Sequence, residues 1–330
     1  MKICIFGMGA VGGHYAAKLA AAGHDVSAVA RGANLEKIKK NDVVLRSGDD
    51  VLSGPVRASD NPADLGAQDV VISTLKANSL GSLAAGIGPL LGPDTPVIFA
   101  QNGIPWWYDM GLPGDRLTPP DLGSLDPGGA LHKAVARERI IGAVINSPNE
   151  MVEPGVIVHT NPKRNALLLG EVDNRQTDRL AELRGVLEGA RIGSPVVPDL
   201  RFELWSKLML NMTGSILSLL TGHQVSVVRK QPAIGEVFRR LAEEAKSIAG
   251  AHGVDLSGTF NPDTFIENSP DHTPSIRQDY DLGRPMELDA ILLIPMQFAR
   301  VAGLDTPCLD TITALAVLQA QDKGLYPKPA

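Results

Sequence analysis

Gly7, Gly9 and Gly12 follow one another as G-x-G-x-x-G within FGMGAVGG, a spacing in which the backbone alone can hold a ligand. The first glycine permits a tight turn, the second lets a pyrophosphate reach the main chain, and the third lets a helix lie close on a strand. Free N–H groups and the positive dipole end of that helix would meet the phosphates. Met8, Ala10 and Val11 fill the rest of the turn. A lone match is weak, so its setting between strand and helix decides. Arg31 stands at the end of the next apolar run, where an acidic residue would hold the ribose hydroxyls of NAD. A guanidinium there favours a 2′-phosphate, hence NADP, the alternative being an ordinary solvated loop arginine. Asp25 is no rival, since it precedes the strand and lies at its other end.

A second set of polar residues lies far along the chain. Glu203, Lys207, Asn211 and Ser215 recur every four residues and form one stripe on a helix otherwise rich in Leu204, Trp205, Leu208, Met209 and Met212. A solvated face would explain a lone helical lysine. The stretch SIRQDYDLGRPMELDA shifts the balance toward chemistry, because it sets Ser275, Asp279, Glu287 and Asp289 around a glycine turn that opens another helix.

These residues need a frame to position them. KICIF is a β-branched apolar run ending at glycine, and Ala16, Ala17, Leu19 and Ala20 suit a helix that stops at Gly23. That is strand, glycine turn, helix; the glycines, His14 and Lys18 break the continuous apolar segment that a secretory leader requires. Short apolar runs at 26–30, 69–75, 96–103, 139–146, 155–160 and 165–172 alternate with helical segments, which predicts a mainly parallel sheet flanked by helices. The later runs are too close for crossover helices, so some antiparallel pairing is expected there. A helix over about 176–189 and a last strand near Val196 would close an α/β, Rossmann-like dinucleotide-binding domain spanning 1–198. From 199 to 330 the pattern turns to long helical periodicities, predicting an all-α C-terminal domain. The chemistry is expected where that domain meets the nucleotide.

Composition narrows the class. At 330 residues, 44% hydrophobic and 21% charged, the chain reads as a soluble globular protein with a substantial core. A net charge of -6 without a long basic run argues against nucleic acid. Cys4 and Cys308 are the two cysteines, too few for a disulfide framework or a cysteine zinc site, and the seven histidines show no H-E-x-x-H pairing, so no metal is expected. No uninterrupted apolar run approaches membrane-spanning length. A cytoplasmic enzyme is the expectation, and the apolar late helices make a homodimer plausible.

On GMGAVG, Arg31, TLKA with Lys76, QNG with Asn102, LWSKLMLN with Lys207 and Asn211, and SIRQD with GRPMELD, the chain resembles the ketopantoate reductase (2-dehydropantoate 2-reductase) family over nearly its whole length. The shared order, and the twelve-residue step from Ser275 to Glu287, make coincidence improbable. The resemblance implies reduction of a 2-oxo acid by NADPH, with 2-dehydropantoate to pantoate, for coenzyme A synthesis, as the favoured reaction. It implies that Lys207 acts as general acid on the oxygen that gains charge, a role open to an ammonium that is partly desolvated. Glu287 would hold the reacting oxygen or a nearby hydroxyl and approach the cofactor. Asn102 would lie near the nicotinamide and the substrate, Asn211, Ser215 and Ser275 would bind substrate oxygens, and Lys76 and Arg31 would hold the cofactor with the glycine turn.

The chain also departs from the family. Ser215 replaces a second asparagine, Leu292 and Leu293 replace an asparagine-glycine pair, and HQVSV offers no counterpart to a later asparagine. An aromatic loop, GIPWWYDM, follows Asn102, and Trp106, Trp107 and Tyr108 would either cover a domain interface or contact substrate. A paralogous reductase of another 2-oxo acid therefore stands beside the favoured reading. An idle NADP-binding sensor is a third, opposed by the retained Lys207 and Glu287.

Overall fold

The computed structural model describes residues 1–259, 261–268, 271 and 273–328. Its packing divides the chain into two compact units, Met1–Gln101 with Asp126–Leu200, and Asn102–Leu125 with Arg201–Ala330. The segment 102–125 thus groups with the stretch that begins at Arg201, although it lies well inside the 1–198 stretch.

In the first unit the strands are β1 (Lys2–Phe6), β2 (Asp25–Val29), β3 (Val43–Ser47), β4 (Asp50–Gly54), β5 (Val56–Ser59), β6 (Val70–Ser73), β7 (Val97–Ala100), β8 (Ile140–Asn146), β9 (Asn149–Glu153), β10 (Val156–His159) and β11 (Ala166–Glu171). Its helices are α1 (Ala10–Ala21), α2 (Gly32–Asn41), α3 (Gly81–Gly86), α4 (Ala130–Ala134) and α5 (Asp178–Gly189). Seven strands make one sheet in the order β11-β8-β7-β6-β1-β2-β5. All its pairings are parallel except that of β11 with β8, where no crossover helix intervenes. Four residues of β1 and all of β6 and β7 are buried, which is why they read as unbroken apolar runs rather than alternating ones. The order reverses at β1, which pairs with β2 on one side and β6 on the other. A crevice at the carboxyl ends of strands opens at such a switch point.

A second sheet, ordered β4-β3-β10-β9, was not expected from the sequence. It takes the run at 155–160, assigned by pattern to the main sheet, and pairs it with β3 and β9. Helix α1 packs on this sheet as well as on β1, so its buried residues include His14, Tyr15 and Lys18 along with its alanines. Small residues allow the close approach: a Cβ on Gly13 would come within 2.6 Å of the Ile157 side chain, and one on Gly54 within 2.7 Å of Ala20. Near Val196 no strand forms; the residue is 66% exposed, and the nearest pairing is a single bridge of Gly193 to Ala166. Pro195 and Pro198 flank it and remove the N–H groups a ladder would need.

The second unit is helical. It comprises α6 (Leu200–Leu210), α7 (Ile216–Thr221), α8 (Val225–Lys230), α9 (Pro232–Ala251), α10 (Pro262–Glu267), α11 (Ser275–Asp281), α12 (Ile294–Val301) and α13 (Pro307–Asp322). Among its described residues two π turns interrupt it, Asn211–Ser215 between α6 and α7 and Asp289–Leu293 before α12. Glu244 of α9 accepts from the N–H groups of Cys308 and Leu309 and so caps α13.

Candidate active site

The glycine turn lies at the switch point, at the carboxyl end of β1. Gly7 has φ +107°, a conformation that favours glycine, and a Cβ there would press on Leu75 at 2.8 Å. A Cβ on Gly12 would meet Gly7 O at 2.1 Å and Thr74 Oγ1 at 2.6 Å, so only glycine fits. Gly9 is exposed, with open space beyond its Cα, and caps α1. Ala10, Val11 and Gly12 form the first turn of α1, which has no side-chain cap and no acidic residue, while Met8 is buried beside them. Open space, uncapped N–H groups and a positive helix end suit a dinucleotide pyrophosphate. Two residues that pattern did not single out hold the turn: Thr74 donates its hydroxyl to Gly7 O, and Asn34 donates to Met8 O while accepting from Gly155 N–H at 2.7 Å. Thr74 was discoverable as a short hydroxyl just after β6; Asn34 left no signal.

Arg31 follows β2 after Ala30, exposed, as the residue that opens α2. Lys76 follows β6 and opens a short 3₁₀ turn, Ala77–Ser79. Both strands adjoin β1, so the two cations stand at the same end of the sheet as the glycine turn. Asp25 lies at the opposite end, its N–H bonded to Met1 O at 3.1 Å.

In the helical unit Glu203, Lys207, Asn211 and Ser215 are all half-exposed while Leu204, Trp205, Leu208, Met209 and Met212 are buried, so the stripe exists. Lys207 Nζ donates to Asn102 Oδ1 at 2.8 Å. Backbone geometry puts Asn102 there. In the second π turn Ile294 N–H reaches back to Asp289 O, so it is diverted from Ala290 O, and Pro295 has no N–H to offer that carbonyl. Ile104 N–H donates to Ala290 O instead, at 2.8 Å. Gly103 has φ +77° and lies so near that a Cβ would come within 2.4 Å of Ala290 O. The loop bearing Asn102 is thereby pinned to the turn that follows Glu287, a residue only 8% exposed.

The first π turn carries Asn211 and Ser215. Thr213 Oγ1 donates to Met209 O at 2.7 Å, and Ser215 Oγ to Leu210 O at 3.4 Å, so both hydroxyls serve carbonyls of the preceding turn. This π turn packs against the second π turn and against α11, whose first residue, Ser275, is exposed and whose Asp279 is buried. Arg277 Nη1 donates to Ser218 O at 3.2 Å and ties α11 to α7. Leu292 is fully buried and Leu293 half-exposed, so of that pair Leu293 alone has surface to offer a ligand. Trp106, Trp107 and Tyr108 are core residues of the helical unit: Trp205 Nε1 donates to Tyr108 OH at 2.7 Å, and Arg201 Nη2 donates to Tyr108 O and Met110 O, each at 2.7 Å.

A glycine turn shaped for phosphates at the switch point of a parallel sheet defines the first unit as one of the dinucleotide-binding class. Residues 3–111 match the family model described as Ketopantoate reductase PanE/ApbA, and residues 199–319 match the model of its C-terminal part. The chain belongs to the ketopantoate reductase PanE/ApbA family. It is 38% identical, over 99% of its length and 100% of the relative's, to the 2-dehydropantoate 2-reductase of Mesorhizobium japonicum. A crystal structure of a putative ketopantoate reductase from Ralstonia solanacearum MolK2 superposes with a TM-score of 0.90 at 34% identity, covering 98% of this chain and 99% of that one. A D-mandelate dehydrogenase in ternary complex with NADH and anilino(oxo)acetate shares the fold, with a TM-score of 0.82 at 18% identity over 98% and 100% of the two chains.

Proposed function

We propose that this protein reduces the oxo group of a 2-oxo acid with NADPH, and that 2-dehydropantoate, giving pantoate, is the substrate. The observation that carries the reading is the 2.8 Å bond from Lys207 Nζ to Asn102 Oδ1, in a loop pinned to the turn after Glu287. Bound nicotinamide would supply the hydride. Reduction puts negative charge on the carbonyl oxygen, and Lys207 would meet it and deliver its proton. Asn102 accepts from the ammonium at 2.8 Å and so fixes its direction. Glu287 would accept from the new hydroxyl or from a neighbouring one and fix its direction. Asn211, Ser215 and Ser275 would take the remaining substrate oxygens. Gly7 to Gly12 would hold the pyrophosphate, with Arg31 and Lys76 on the 2′-phosphate.

A second reading, a paralogue acting on another 2-oxo acid, is favoured by Ser215 turning inward to Leu210 O and by the half-exposed Leu293. Fewer amide donors and more apolar surface favour bulkier groups by about 1 to 3 kcal/mol. NADPH oxidation measured with 2-dehydropantoate and with branched and aromatic 2-oxo acids separates the two. The first reading expects the highest kcat/KM for 2-dehydropantoate. A higher value for an aromatic acid, with Ser215→Asn shifting preference back toward 2-dehydropantoate, would establish the second.

A further inference from the structure

The last turn of the described chain lies along the segment that carries Glu287. After α13, Gly324 (φ +70°) reverses the backbone and Leu325 N–H returns to Ala320 O at 2.8 Å. Lys323 Nζ donates to Tyr280 O at 2.8 Å and sits 4.0 Å from the centre of the Tyr280 ring. Leu325 O accepts from Met286 N–H at 3.2 Å, and Tyr326 OH donates to Asp289 Oδ1 at 2.8 Å. Met286 immediately precedes Glu287, and Asp289 opens the second π turn just after it. The chain is therefore held on both sides of the glutamate.

That support matters because residues 284–287 form no regular element and the second π turn has no side-chain cap. Burial, then the bond to Asp289 and its charge, keep the Tyr326 phenol above its ordinary range. The hydroxyl is thus a donor at any working pH. We propose that Tyr326, acting through Asp289, is a positioning residue for Glu287, and that residues 323–327 are a strap fixing the glutamate against the second π turn. The proposal rests on the reading that Glu287 serves oxo-acid reduction.

Tyr326→Phe keeps the ring and removes the bond. It should lower kcat for 2-oxo acid reduction by about tenfold, since small misplacements of a reacting group have effects of that size or larger, while NADPH titrates as in the wild type. Asp289→Ala should match it, and Asp289→Asn, which keeps an acceptor, should recover most of the loss. In a Glu287→Gln background, Tyr326→Phe should change kcat no further. If Glu287→Gln is impaired but Tyr326→Phe is not, or if Tyr326→Phe acts equally in both backgrounds, the strap is only structural and the proposal is overturned. A Glu287→Gln enzyme with normal kcat would instead remove the underlying reading, and the strap's role with it.

Discussion

Lys207 and Asn102 are 105 positions apart and meet at hydrogen-bond distance, so neither can be understood from its own neighbourhood. Lys207→Ala should lower turnover by about a hundredfold or more, with NADPH binding retained in a fluorescence titration. Near-normal turnover would return the lysine to an ordinary solvated helix face. Arg31 is exposed and stands alone at the end of β2; Arg31→Ala should raise KM for NADPH and leave KM for NADH nearly unchanged, whereas equal losses would make the arginine a structural residue. Such residues were legible because they carry charge or an amide at a recognisable spacing. The aromatic loop was not: in sequence Trp106, Trp107 and Tyr108 read as cover for a domain interface or as substrate contacts. Arg201 and Trp205, whose bonds draw them into the core, belong to a helix nearly a hundred residues away.

Among the elements, strand, glycine turn and helix could be read in order because each has a local cause. The second sheet could not. Its strands are short, β3 and β4 alternate weakly, and β10 pairs with β3, which lies more than a hundred residues earlier in the chain. The π turns were equally hidden, since the pattern at 203, 207, 211 and 215 reads as unbroken helix; Pro295 was the sole local trace of the second one. Two glycines separate the units' roles. Gly12→Ala places a methyl 2.1 Å from Gly7 O and should abolish NADPH binding. Gly103→Ala forces a side chain onto Ala290 O at φ +77°; it should depress kcat while cofactor titration stays close to wild type. Wild-type kcat in Gly103→Ala would show that the pinning of Asn102 is dispensable.

At the scale of the molecule, stability should depend on pH through the helix between the two sheets. Burial, followed by the neighbouring charge of His159, pushes His14 down to about 3 from its ordinary value of about 6.5. Its own burial also lowers His159, with Lys18 adding to the effect. His14 stays neutral in the folded protein while the unfolded chain binds a proton below about 6.5. The full stabilisation is therefore present above that pH and is lost as pH falls toward 3, at about 1.4 kcal/mol per pH unit. Thermal melts from pH 7.5 to 5 should show the decline, and His14→Gln should flatten it; an unchanged slope would assign acid sensitivity elsewhere. The chain also crosses between its units at three places, after Gln101, Leu125 and Leu200. No single cut in the gene therefore separates them. A fragment ending at residue 200 would carry 102–125, with Trp106, Trp107 and Tyr108, but not the helices those side chains pack into, and should be recovered as aggregate. Swapping this family's substrate specificities by domain exchange must accordingly move two stretches of DNA together, the short one encoding Asn102 and the long one encoding Lys207.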